Sequence, residues 1–187
     1  MAHDPSAIAT WANAVTVGRV LCSPILFVLV DGTAGSWPAL AVWFVLCASD
    51  GVDGFLARRH GTTRSGAFLD PLADKILVLG AMFTLVGEGV FPIIPVAIIA
   101  AREVAISMYR VFAGAQGISV PASRLAKLKT VSQQFAVAFA LCPITALDAT
   151  WTWTFLLWFA TTLTVISGAQ YYWKATHHQP QAVSRAV

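Results

Sequence analysis

The part of the sequence best suited to chemistry is the stretch "SDGVDGFLARRHGTTRSGAFLDPLADK", from Ser49 to Lys75. It contains four aspartates: Asp50, Asp53, Asp70 and Asp74. The chain around them has 187 residues, of which 57% are hydrophobic and only 11% are charged. An average soluble domain has roughly 25% charged residues. Carboxylates are costly in so apolar a chain, so this group indicates a functional site rather than a solvated surface.

The spacing of the aspartates predicts two stripes on two neighbouring helices. Asp50 and Asp53 lie three residues apart and Asp70 and Asp74 lie four apart, so each pair shares one helix face. The connection "RHGTTRS" is short, which predicts that the two helices pack antiparallel. Asp74 lies about ten residues past the turn, or roughly 15 Å along the axis. The carboxylates are therefore expected to line a cavity that dips into the protein from one membrane surface.

Four carboxylates in so small a space would repel one another unless a cation neutralised them. Oxygen ligands favour a hard divalent ion, so Mg²⁺ or Mn²⁺ fits better than zinc. One or two such ions would leave coordination positions open for phosphate oxygens, as phosphoryl-type transfer requires. The alternatives are an intramembrane salt-bridge network or the ion pathway of a cation carrier. All four aspartates cluster toward one half of the bilayer, so no through-route for a carried ion is visible.

Apolar runs separated by short polar or Pro/Gly breaks must position this stretch. A transmembrane helix needs about 20 mostly apolar residues, whereas barrel strands would alternate polar and apolar positions. We therefore predict an all-α integral membrane protein with a single domain over residues 1–187, built as a six-transmembrane-helix bundle. The six runs extend approximately over Val15 to Val30, Trp37 to Arg58, Ser65 to Val86, Phe91 to Ala113, Ala126 to Leu147 and Trp151 to Trp173.

The charges between these runs predict the orientation of the bundle. Alternate connections hold Asp31, Glu88 and Asp148 but no Lys or Arg. The basic residues fall on the other side: Arg58, Arg59, Arg64, Arg124, Lys127, Lys129, Lys174 and Arg185. This asymmetry predicts that both termini and the aspartate site face the cytoplasm. It also accounts for the net charge of +3 through topology and anionic lipid headgroups, so no nucleic-acid partner is expected.

The aspartates belong to a longer pattern with constrained spacing. Its positions are Asp50, Asp53, Gly54, Ala57, Arg58, Gly66, Asp70 and Asp74. The pattern resembles the signature of the CDP-alcohol phosphotransferase family. The segments "NAVTVGR", "AREVAISMYR" and "LAKLKT" further resemble members that transfer a phosphatidyl group from CDP-diacylglycerol to sn-glycerol 3-phosphate. The likeness covers most of residues 13 to 134.

This resemblance implies a role for each position of the signature. The four aspartates would hold the metal ions, and Asp74 would also act as general base toward the acceptor hydroxyl. Gly54, Ala57, Arg58 and Gly66 would form the pocket for the CDP moiety, where Arg58 offers fork-like donors to phosphate. Related proteins are dimers, so a homodimer is also expected.

A second group of residues is basic and could hold an anionic acceptor such as sn-glycerol 3-phosphate. It consists of Arg102, Arg110, Lys127 and Lys129. Arg102 alternatively pairs with a carboxylate, either Glu103 of a neighbouring subunit or one of the aspartates, and the lysines alternatively form a solvated edge. Arg19, with Asn13 and Thr16, could close the cavity or serve helix packing. Within the family, a cardiolipin synthase that uses phosphatidylglycerol as acceptor is the nearest alternative.

Overall fold

The computed structural model of the protein describes residues 11–30, 32, 35–60, 66–115 and 124–177. Side chains are described in these ranges except at 11–15, 50–60, 66–72, 111, 113–115, 124, 126 and 171–177. The described chain contains helices and no strand. The helices are α1 (Trp11–Leu29), α2 (Trp37–His60), α3 (Gly66–Gly87), α4 (Ile93–Ala115), α5 (Arg124–Leu141), α6 (Pro143–Ala146) and α7 (Thr150–His177).

Each of the six apolar runs corresponds to a long helix, and five of them agree closely in extent, which confirms the all-α fold class. The fifth run is the exception, because α5 ends at Leu141 instead of continuing to Leu147. Pro143 occupies the first turn of the short helix α6, where its missing N–H costs nothing. The Thr145 hydroxyl donates to the Phe139 carbonyl at 2.5 Å, which secures the break between the two helices.

Only one helix in the described part of the chain is long and apolar enough to cross a membrane by length and composition. It is the segment Thr150–Gln170 of α7, while Thr16–Leu29 and Trp37–Ser49 are shorter apolar helices.

The core is built around α7 and α1. Helix α7 packs against α5 and α4, while α1 packs against both α2 and α3. Large side chains such as Trp43, Met82 and Leu157 are buried between them. The Trp43 indole N–H donates to the Gln134 carbonyl at 3.2 Å and so joins α2 to α5.

The connections between α1 and α2, between α3 and α4, and between α5 and α7 meet at one end of the bundle. Their position shows which end holds the aspartates. The Gly32 N–H donates to the Glu88 carboxylate at 2.9 Å, and the Ser36 N–H donates to the Leu141 carbonyl at 2.8 Å. Gly35 adopts a φ of 74° beside that carbonyl, a conformation that favours glycine. The second half of α2 and the first half of α3 therefore lie toward the other end.

Helices α1 and α3 approach each other closely at Gly80. A Cβ built on Gly80 would lie 2.3 Å from the tip of the Phe27 ring. We expect Gly80→Ala to lower the free energy of unfolding by about 1–3 kcal/mol, the usual cost of overpacking. Thermal unfolding in detergent measures the change. Gly18→Ala is the matched control, because no atom lies within 4 Å of a Cβ there. Equal melting temperatures for the two variants would contradict the close approach.

Candidate active site

The four aspartates lie on the two helices that the sequence predicts. Helix α2 carries Asp50, Asp53, Gly54, Ala57 and Arg58, and α3 carries Gly66, Asp70 and Asp74. Helical spacing therefore puts each aspartate pair on one face. The side chains of residues 50–60 and 66–72 lie outside the described part, so the metal and CDP assignments stay predictions. The donor set is all oxygen, which fits Mg²⁺ or Mn²⁺.

Asp74 is the member of the signature whose side chain is described, and it is half-buried. The next residue, Lys75, is also half-buried and interacts electrostatically with Asp74, Glu103 and Arg110. Its ammonium group donates to the Ser107 hydroxyl of α4. Lys75 therefore joins α3 to α4 immediately beside the predicted general base.

Helix α1 reaches the aspartate region through Arg19. Arg19 is buried, and its Nε donates to the Ser49 hydroxyl of α2 at 3.2 Å. Ser49 directly precedes Asp50. Thr16 is also buried, whereas the side chain of Asn13 lies outside the described residues. Arg19 thus joins α1 to α2 beside the signature, a contact compatible with both roles considered for it.

Two of the predicted acceptor cations converge on a glutamate. The Lys129 ammonium donates to Oε1 of Glu103, and the Arg102 guanidinium donates to the same oxygen at 3.1 Å. A second Arg102 nitrogen donates to the Ser167 hydroxyl of α7 at 3.0 Å. Pairing of Arg102 with Glu103 was one of the alternatives, but the partner lies in the same chain and no neighbouring subunit is needed.

The four acceptor cations differ in environment. Lys129 is only 2% exposed, Arg102 and Arg110 are half-buried, and Lys127 is exposed. Burial requires a counter-charge for Lys129, and Glu103 supplies it. The structure therefore brings Arg102 and Lys129 together in the interior and leaves Lys127 at the surface.

Sequence reasoning gave no site role to Lys75, Ser107 or Ser167. A signal was present, because Lys75 is a lysine directly after Asp74 at the start of an apolar run. Ser107 follows Glu103 by four residues, which places both on one face of α4. The hydroxyl of Ser107 donates to the Glu103 carbonyl at 2.5 Å.

A known protein family matches the region that contains both the aspartate signature and the basic group. The model of the CDP-alcohol phosphatidyltransferase family matches residues 9–166, which include the aspartates and the basic group. The chain belongs to this family. The prediction made from the spacing of the signature is confirmed, and the chain is an enzyme of the CDP-alcohol phosphatidyltransferase type.

Curated relatives within the family carry a common name, CDP-diacylglycerol–glycerol-3-phosphate 3-phosphatidyltransferase. The protein from Rickettsia typhi is 36% identical over 170 residues, covering 86% of this chain and 93% of the relative. The relative from Cereibacter sphaeroides is 31% identical, covering 87% and 94%. The relative from Escherichia coli K12 is 41% identical, covering 68% and 74%.

In this CDP-alcohol phosphatidyltransferase, the signature and the basic group share one framework. Helices α2 and α3 bear the signature, and α4 and α5 bear the cations. The contact from Lys75 to Ser107 joins the two groups. Such an arrangement can hold two anionic reactants next to each other and place a carboxylate between them.

Proposed function

We propose that the protein transfers the phosphatidyl group of CDP-diacylglycerol to sn-glycerol 3-phosphate, giving phosphatidylglycerophosphate and CMP. The main support for the proposal comes from relatives that match 68–87% of this chain at 31–41% identity. All of them bear the name CDP-diacylglycerol–glycerol-3-phosphate 3-phosphatidyltransferase. The primary hydroxyl oxygen of glycerol 3-phosphate forms a bond to the phosphatidyl phosphorus. The bond from that phosphorus to the CMP oxygen breaks, and CMP leaves.

The family generally depends on a divalent metal, and we assign Mg²⁺ or Mn²⁺ to Asp50, Asp53, Asp70 and Asp74. The ion would spread the negative charge of the transferring phosphate and of the leaving CMP. Gly54, Ala57 and Gly66 leave room for the cytidine nucleotide, and Arg58 donates to its diphosphate. Asp74 accepts the proton of the attacking hydroxyl. The half-buried position of Asp74 on the signature helix α3 is compatible with this role.

The acceptor phosphate is assigned to the basic group of α4 and α5. Lys75 of α3 interacts electrostatically with Asp74, Glu103, Arg102 and Arg110, and Lys129 and Arg102 form ion pairs with Glu103. The positive side chains exceed the negative ones by two among these described residues. An interior with such an excess attracts an anion, and the dianionic phosphate of glycerol 3-phosphate matches it.

We propose that the six long helices cross the cell membrane, with both termini and the active site facing the cytoplasm. Large apolar side chains face outward, including Val28 (82% exposed), Leu21 (72%) and Trp151 (72%). Soluble monomers rarely expose extended apolar surface, and lipid would cover these side chains. The donor is itself a membrane lipid, so a site that opens to the bilayer suits it. A homodimer is proposed from the family resemblance.

The orientation predicts which engineered cysteines react with a membrane-impermeant reagent in intact cells. In a background without native cysteines, Asp148→Cys should react from outside. Gly61→Cys and Ser184→Cys should react only after the cytoplasmic face is opened, because the basic connections stay inside. Mass shift of the protein reports each reaction. The reverse pattern would place the aspartates on the side opposite to that proposed.

One assay tests the reaction and its nearest alternatives. Purified protein with Mg²⁺ and CDP-diacylglycerol is given either glycerol 3-phosphate or phosphatidylglycerol, and the lipid product and released CMP are measured. We expect phosphatidylglycerophosphate and CMP with glycerol 3-phosphate only. Cardiolipin as the sole product would show that phosphatidylglycerol is the acceptor, and the reaction class would be unchanged. Absence of CMP release with either acceptor would contradict both acceptor assignments.

A further inference from the structure

Glu103 lies at a junction of four helices. Its carboxylate accepts from Lys129 of α5 and from Arg102, and Arg102 also donates to Ser167 of α7. Its backbone carbonyl accepts from Ser107, which in turn accepts from Lys75 of α3. Helix α5 is thus connected to α4 through Glu103 itself, α7 through the neighbouring Arg102, and α3 through Ser107 one turn away.

The Glu103 carboxylate determines where the ammonium group of Lys129 lies. Lys129 is 2% exposed and Glu103 is 8% exposed, so water does little to compensate either charge. Removing one partner of a buried pair leaves the other charge without compensation, which is strongly unfavourable. The pair therefore fixes the position of the Lys129 amino group in the interior.

Glu103 lies among the positive side chains that are proposed to bind the acceptor phosphate. Because it is itself negative, it does not attract the phosphate directly. Its negative charge would repel a phosphate dianion, yet the positive side chains remain in excess around it. A carboxylate in this position can therefore aid binding only through the cations that it orients. Such a residue acts on the acceptor and leaves the donor pocket on α2 unaffected.

We propose that Glu103 is a positioning residue for the acceptor, which holds Lys129 and Arg102 in the arrangement that receives the phosphate of glycerol 3-phosphate. This inference rests on the proposed function. Lys75 interacts electrostatically with both Asp74 and Glu103, so the Glu103 carboxylate also links the acceptor cations to the helix segment that carries Asp74.

The test is a double-mutant cycle in purified protein. Glu103→Gln keeps the size of the side chain and removes its charge, and we expect it to raise the KM for glycerol 3-phosphate about tenfold. The KM for CDP-diacylglycerol should change less than twofold. Lys129→Gln should raise the acceptor KM similarly, and the double variant should add little to the larger single effect. A purely structural role would not produce this selective, non-additive change.

Glu88→Gln is the matched control, because Glu88 and Glu103 are the two glutamates of the sequence. Glu88 directly follows the end of α3, roughly 20 Å from Asp74 at the helical rise per residue, and its variant should keep both KM values. If Glu103→Gln does not fold, Glu103→Asp retains the charge on a shorter side chain and should raise the acceptor KM severalfold.

Three results would overturn the positioning role. The first is an unchanged acceptor KM in the folded variants, and the second is additive effects in the cycle. The third is a lower acceptor KM in Glu103→Gln, which would show that the carboxylate competes with the phosphate. Wild-type protein that fails to use glycerol 3-phosphate would instead contradict the proposed function, so the two failures are distinguishable.

Discussion

Replacing Asp50, Asp53 or Asp70 with asparagine is expected to lower the transfer rate by at least about two decades. Each substitution keeps the size of the side chain and removes one charge from the proposed metal site. Metal ions contribute several kcal/mol of charge stabilisation in such reactions, and about 1.4 kcal/mol corresponds to one decade in rate. CMP release is measured over a range of Mg²⁺ concentrations, where excess metal should restore part of the lost rate.

Asp148→Asn is the matched control for these variants, because Asp148 is exposed in the connection before α7. It should keep the wild-type rate. Near-normal activity of Asp50→Asn, Asp53→Asn or Asp70→Asn at low Mg²⁺ would rule out the shared metal site.

Asp74→Asn separates two possible roles of Asp74. Loss of a general base lowers turnover more than it lowers CDP-diacylglycerol affinity, whereas loss of a metal ligand lowers both equally.

Replacing Lys129 with glutamine is expected to raise the KM for glycerol 3-phosphate by about one to two decades. A hydrogen bond to a charged group contributes about 1.5–3 kcal/mol, and each 1.4 kcal/mol is about tenfold in affinity. Arg102→Gln should behave similarly, since both side chains contact Glu103. Initial rates at varied acceptor and saturating donor measure the effect.

Lys127→Gln provides the comparison, because Lys127 lies two residues from Lys129 on the same helix but is exposed. Solvent weakens the interactions of exposed charges to about 0–1 kcal/mol, so its acceptor KM should change by less than about fivefold. Equal effects at Lys127 and Lys129 would show that the phosphate binds at the surface rather than in the interior. A changed donor KM in either variant would place the lysine in the CDP pocket.

The sequence by itself was sufficient to predict the helices and the family. Long apolar runs have one regular structure that satisfies their backbone groups in lipid, so five of the six runs agree closely with the helices. The fifth deviates because Pro143 allows a new helix to start but not the old one to continue. The signature was equally readable, since the spacing from Asp50 to Asp74 is local and depends only on two helices and a short turn.

The tertiary structure decided which charges meet. Sequence spacing could not distinguish Lys127 from Lys129, because their exposure depends on which face of α5 packs against α7 and α2. Nor could it show that Glu103 pairs with Lys129, since the two residues are 26 positions apart. Contacts between helices depend on rotation and depth, which are set by packing over the whole bundle. For this reason the aspartate signature was visible in the sequence, and the ion-pair network of Glu103 became visible only in the fold.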